Sequence, residues 1–472
     1  MGARLIRNTL VQLVPPLVRS VLGLLLVAGL TRHLGTRGFG QYALVFAYVA
    51  VFSGIFGDWG LATICLREIS QRHTQRAQLI GSALSLQALI ALTTYLSLLA
   101  SLLITHYPPE VTASLAVYGV SILLSPLDIL ALPFQADLRV GRLVGPAVLA
   151  SAVSFVLAVV VIRLNGPLAA LVGAALVGLL AQYSWVTALS LRNLGGIRPN
   201  RTSWAYFLSE AWPLAVSTIA GTLFQQAPLL ALSFMSLEGA GLFNAAFRIP
   251  QQLMLLPLML RVSTFPLLSE AWVSDPARFR RLLNILISAS LFVSVPVAIL
   301  AIGVADPLVQ LLFGKSFSGT AEPFRLLIAG FAILFPAIVS GEGMIAAGLQ
   351  RMNLLINVAV LPVLLVLLQV LVPHRGAEGA ATALLVAYSC LASGAFLTVG
   401  LRLRSARLIN SLLAGGLAAA LGAAVLLLGP RLGTLPAAIL ASLLAAAVLG
   451  VLERSTMREI WRLSPYQFGR RE

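Results

Sequence analysis

Fourteen apolar stretches follow one another along this chain, and the basic residues collect in every second gap between them. The stretches run over residues 10–31, 41–66, 79–105, 111–136, 145–164, 166–190, 210–235, 240–268, 282–304, 325–349, 353–372, 377–400, 408–428 and 432–452. As helices rising ~1.5 Å per residue, all are long enough to cross ~30 Å of hydrocarbon. The pattern predicts an all-α integral membrane protein of about 14 spans. The amino terminus, the gaps after even-numbered stretches and the carboxyl tail hold 22 of the 32 Lys and Arg residues. The opposite side, counting Arg163 and Arg325 at stretch ends, holds 7: Arg32, Arg37, Arg163, Lys315, Arg325, Arg375 and Arg431. The positive-inside rule then places both termini in the cytoplasm. The three remaining bases, Arg19, Arg248 and Arg261, fall inside stretches.

Composition excludes several function classes. The chain is 59% hydrophobic and 10% charged, with a mean hydropathy of +0.95, so it is not soluble. Its net charge of +16 sits in short loops, not on one folded face, which favours anionic lipid head groups over nucleic acid as the partner. No gap has room for a soluble catalytic domain. Gly314-Lys315-Ser316 looks like the end of a phosphate-binding loop, but Val309 stands where that loop needs a glycine. Two cysteines and four scattered histidines suggest no metal site, and no cofactor is expected. Cys65 and Cys390 read as reduced packing residues.

One internal repeat organises the chain. Gly38-Phe39-Gly40-Gln41-Tyr42, with Phe46, opens the second stretch. Gly239-Ala240-Gly241-Leu242-Phe243, with Phe247, opens the eighth, six stretches later. An even offset leaves both copies running the same way through the membrane, as in a parallel repeat. The expected organisation is an N-terminal six-helix lobe over 1–195 and a second over 196–405. Helices 13 and 14 over 406–452 and a cytoplasmic tail over 453–472 complete it. Residues 306–323 are amphipathic and read as lying at the outer interface or as a re-entrant turn.

Charged groups at bilayer depth are costly and therefore informative. Arg248 and Arg261 share the eighth stretch, thirteen residues and about 220° apart on an ideal helix. Kinks at Pro250 and Pro257 would let both reach one cavity. A guanidinium fork suits a diphosphate; the alternative is that the two snorkel to opposite surfaces. Arg19 follows Pro15-Pro16 and is either a cavity cation or an interfacial anchor. Asp58, Asp128 and Glu342 each precede a cytoplasmic Arg by nine to eleven residues, which places them ~13–17 Å from the inner end. They are candidates for ion coupling or charge pairing, or for structural hydrogen bonds at helix breaks. Glycines beside Asp58 and Glu342 favour such breaks.

These residues carry a resemblance. The run Leu34 to Tyr42, then Asp58-Trp59-Gly60-Leu61 and Arg67-Glu68-Ile69, resembles the opening of Wzx-type polysaccharide flippases. Gly241 to Ile249 is similar to their eighth span, and Leu312 to Phe317 to their ninth-to-tenth connection. That family belongs with multidrug extrusion transporters and lipid II flippases in one superfamily of two six-helix lobes. The resemblance implies a transporter, not an enzyme, that flips a polyprenyl-diphosphate-linked oligosaccharide across the bacterial inner membrane by alternating access. A multidrug/cation antiporter or a lipid II flippase is the alternative. A polysaccharide polymerase and chain-length proteins are further partners it suggests. Relatives carry an acidic residue in mid-span seven, where this chain has Gln225-Gln226-Ala227-Pro228. A coupling role at that position has no residue here to carry it.

Overall fold

The computed structural model describes residues 2–57, 59–71, 75–105, 107–137, 139–194, 201, 203–403, 407–427 and 433–453, with side chains from Val14 onward except at 193–194, 213, 262–263 and 407. Asp58 lies outside the described residues. The described chain is helical and divides into two compact units, Met1–Asn244 and Ala245–Glu472.

The first unit comprises α1 (Gly2–Phe52), α2 (Leu61–Gln71), α3 (Arg76–Leu102), α4 (Pro109–Leu124), α5 (Leu132–Ala136), α6 (Gly141–Arg163), α7 (Leu168–Leu194) and α8 (Trp204–Met235), ending in the first residues of α9 (Leu237–Leu253). The second holds the rest of α9, then α10 (Leu255–Ser274), α11 (Pro276–Gly303), α12 (Ala305–Phe313), α13 (Ala321–Ala346), α14 (Gln350–Arg402), α15 (Arg407–Leu427) and α16 (Thr434–Leu452). Among the described residues eleven helices are long and apolar enough to cross a membrane, or twelve with one bent pair taken as a span. The fourteen expected from sequence require that α1 and α14 each be divided. Both break at a glycine with left-handed backbone, Gly35 (φ 64°) and Gly376 (φ 51°), a conformation that costs glycine nothing.

Two spans of the first unit are interrupted at mid-depth. The second opens into a π-helical turn at Ser53–Gly57 before α2 begins. Freed backbone groups in hydrocarbon cost several kcal/mol each, on the order of a lost hydrogen bond or more. Here Gln87 Nε2 donates to Gly57 O at 2.6 Å, and Trp59 Nε1 donates to Ile55 O at 3.2 Å. The fourth span tightens into a 3-10 turn at Ser125–Ala131, between Pro126 and Pro133. Proline cannot donate its nitrogen and crowds the preceding turn, so two of them seven residues apart explain the irregularity. Beneath these breaks Ile64, Ile69, Ile80, Leu86, Ile129 and Phe207 form a common apolar core.

The repeated glycine motifs pack against one another inside the first unit. A Cβ on Gly40 would lie 1.8 Å from Leu237 O, and one on Gly241 would lie 2.0 Å from Thr36 O. Residues 36 and 237, like 40 and 241, are separated by the repeat offset of 201. The contact is therefore reciprocal: each copy offers a carbonyl where the other lacks a side chain.

In the second unit, Asp275 caps α11, accepting from the backbone N–H groups of Ala277 and Arg278, with Pro276 at the first helical position. Helices α15 and α16 both pack on α11. Small residues allow the approach. Gly303 faces Ala438, Gly422 faces Ile299, and Ser442 Oγ donates to Pro296 O at 3.1 Å. The amphipathic segment forms α12 and a 3-10 turn at Lys315–Thr320, burying Val309, Phe313 and Phe317 while Leu311 stays exposed.

Candidate functional site

Arg19 lies on α1, one turn past Pro15-Pro16, inside a continuous helix. It lines a cavity of about 300 Å³ with Phe46 of α1, Tyr118 of α4, Ser151 and Ser154 of α6 and Gln182 of α7. Among the described residues no carboxylate forms an ion pair with Arg19. The other lining groups are neutral: Leu22, Leu26, Phe155 and Leu179 give an apolar wall, and Tyr118, Ser151, Ser154 and Gln182 supply the polar atoms.

Asp128 sits on the 3-10 turn and lines a second cavity of about 230 Å³, with Gln135, Gln182 and Tyr183. Tyr183 Oη donates to the carboxylate at 3.1 Å. Gln182 borders both cavities, so the two are neighbours across one side chain. Tyr183 also lies within electrostatic reach of Arg19.

Glu342 sits on an uninterrupted α13, so its flanking glycines do not break the helix. They admit neighbours instead: Gly343 lies against Leu283 of α11, and Gly341 against Asn353 of α14. Arg261 Nε meets Glu342 Oε1 at 3.2 Å. Glu342 is buried, and its Oε2 has no hydrogen-bond partner among the described residues. A pocket of about 150 Å³ beside it is lined by Asn353 and Asn357. Arg261 and Glu342 therefore form an ion pair in this structure.

Arg248 is half-buried on α9 and lines none of these cavities. Span eight is interrupted twice. The helix breaks at Met254, four residues before Leu258 and three before Pro257, and bends by 42° between Arg261 and Thr264. This bend falls one turn before Pro266, whose ring crowds the carbonyl four residues back. Pro266, not Pro250, sets the direction of the chain beyond Arg261.

A polar cluster joining α2 to α8 in the first unit does not stand out in the sequence. Glu68 of α2 is 2% exposed and accepts from Tyr206 Oη at 2.6 Å and Arg67 Nη2 at 3.2 Å. Arg67 also reaches Glu210 of α8 at 2.9 Å. Donation to Glu68 raises the Tyr206 pKa above its ordinary value and holds the phenol protonated.

The polysaccharide biosynthesis protein family matches residues 5–272, more than half of the chain. The chain belongs to that family. A relative described as "Putative O-antigen transporter", from Shigella flexneri, is 23% identical over 401 residues, covering 80% of this chain and 93% of its own length. The fold is shared with the lipid II flippase MurJ in an inward closed conformation, at a TM-score of 0.75 and 14% identity over 95% of this chain and 99% of that one. It is also shared with an inward-facing multidrug resistance MATE transporter of the MOP superfamily, at 0.61 and 14% over 84% and 98%. These relatives are transporters and flippases by name, and none is an enzyme. This family member is accordingly a multi-pass membrane transporter of polysaccharide biosynthesis.

Proposed function

We propose that the chain flips a polyprenyl-diphosphate-linked oligosaccharide from the inner to the outer leaflet of the bacterial inner membrane, by exposing its binding groups first to one side and then to the other. One observation carries this reading: Arg19, a cation within an apolar stretch, lines a cavity that also presents Tyr118, Ser151, Ser154 and Gln182, and among the described residues no carboxylate is ion-paired with it. A diphosphate is the complement of such a cavity, because a guanidinium binds phosphate oxygens in a planar fork. A site for cationic drugs would present the opposite charge.

In this reading Arg19, Arg248 and Arg261 are the groups that meet the diphosphate. Asp58, Asp128 and Glu342 are the coupling or charge-pairing groups. Arg261 meets cargo only after leaving Glu342, so exchange of partners there links binding to the state of the carboxylate. The lobes are 1–195 and 196–405, followed by helices 13 and 14 over 406–452 and a tail over 453–472. Both termini face the cytoplasm, where the basic loops meet anionic lipids. A polymerase and chain-length proteins receive the cargo outside.

The test is transport in proteoliposomes, with a polyprenyl-diphosphate oligosaccharide in one leaflet and a lectin reporting its arrival in the other. The wild-type chain is expected to transfer it. Transfer of a lipophilic cation, without transfer of the glycolipid, would replace this reading by the antiporter one. For orientation, Arg375→Cys is expected to react with an impermeant thiol reagent from outside the cell and Arg192→Cys only after permeabilisation. The reverse pattern would overturn the topology.

A further inference from the structure

The cavity around Asp128 has a composition that diphosphate binding does not explain. It contains one carboxylate, two primary amides and a phenol, set against the apolar side chains of Leu127, Leu143 and Val186. Amides and hydroxyls both donate and accept, and a carboxylate accepts two hydrogen bonds side by side. Those are the needs of vicinal sugar hydroxyls, while the apolar wall suits the C–H face of the ring. Among the described residues no His, Cys, Asp or Glu groups gather to hold a metal ion. The backbone points the same way. Irregular structure at membrane depth survives where it lines a polar cavity, and the 3-10 turn Ser125–Ala131 carries Asp128 into this one.

We propose that Asp128, Gln135, Gln182 and Tyr183 form a saccharide subsite, which holds the sugar next to the diphosphate while Arg19 in the adjoining cavity holds the phosphate. The proposal rests on the reading of the cargo as a lipid-linked sugar diphosphate. Electrostatics fixes the direction of that cargo. Asp128 repels phosphate and Arg19 attracts it, so the charged link lies on the Arg19 side of Gln182 and the sugar on the Asp128 side. A volume of about 230 Å³ leaves room for one hexose ring.

The experiment measures binding to the full-length protein in lipid nanodiscs. The probes are bare polyprenyl diphosphate and the same lipid carrying a single glucose, galactose or N-acetylglucosamine. The wild type is expected to bind at least one glycosylated probe about tenfold tighter than the bare lipid, the yield of one or two charge-assisted hydrogen bonds. Asp128→Asn and Tyr183→Phe, both near native size, should bring that ratio towards one. Asp128→Asn should bind the bare lipid more tightly than the wild type does, because a repulsive charge is gone. Arg19→Ala should weaken all probes alike. Equal wild-type affinity for bare and glycosylated lipids, or an unchanged ratio in both variants, overturns the subsite and leaves the diphosphate reading standing. If folded wild-type protein binds none of the four lipids, the cargo reading itself fails, and the subsite with it.

Discussion

In the first unit Arg19 and Asp128 line separate cavities that meet at Gln182, whereas in the second Arg261 and Glu342 close on one another at 3.2 Å. The first arrangement presents a positive group and a negative group to two adjoining cavities. The second neutralises its charges internally and leaves one carboxylate oxygen, Glu342 Oε2, without a hydrogen bond among the described residues. Charge within the spans is accommodated differently in the two: Arg19 and Asp128 stand exposed to cavities, whereas the buried Glu342 is paired directly with Arg261. A residue type at membrane depth therefore does not define a role; its neighbours across the bundle do.

The largest effect should come from Arg19. Arg19→Ala is expected to cut glycolipid transfer by about a hundredfold, the loss of a forked pair of charge-assisted hydrogen bonds. Arg19→Lys should retain part of it, because the charge remains and the fork does not. Transfer rates in proteoliposomes check this. If Arg19→Ala were silent and Arg261→Ala severe, the roles of the two units would be exchanged.

A smaller effect is expected from splitting the pair in the second unit. Glu342→Gln leaves Arg261 without its partner and should cost about 1–3 kcal/mol, less than a fully enclosed pair because the Arg261 side chain is 55% exposed. Replacing both by Met should recover most of it. Thermal unfolding in detergent reads out both variants. A single variant that unfolds at the wild-type temperature would mean that the pair contributes nothing to the fold.

The smallest effect belongs to the cluster between α2 and α8, where both strategies combine. Tyr206→Phe removes one donor to the buried Glu68, while Arg67 still reaches it. The expected cost is about 1 kcal/mol with transfer retained. Loss of transfer at unchanged stability would give this cluster a working role alongside the other two.

What was legible in the sequence followed from local pattern. Apolar length marked the spans, depth singled out Arg19, Asp128, Arg261 and Glu342, and the spaced glycines marked the repeat. What was hidden depended on residues far apart in the chain. Tyr183 meets Asp128 across 55 positions and Tyr206 meets Glu68 across 138, and no periodicity carries such a pairing. Gln135 and Gln182 are neutral residues in apolar runs and do not stand out by charge. Pro126 and Pro133, at the turn beneath Asp128, and Pro266, after Arg261, did not stand out either; the expected kinks were at Pro250 and Pro257. The flanking glycines of Glu342 misled, since glycine serves close packing as readily as helix breaking.

The reciprocal contact of Gly40 with Leu237 and Gly241 with Thr36 has a consequence for how such a chain can diverge. Most neighbouring positions tolerate a change in one partner if the other changes to suit it. Here the partner is a peptide carbonyl, which no substitution can shrink. Neither glycine has a compensating exchange open to it, so descendants of a duplicated ancestor would drift apart everywhere around these two points and stay fixed at them. A method that infers proximity from correlated substitutions would register nothing at a place where two backbones touch.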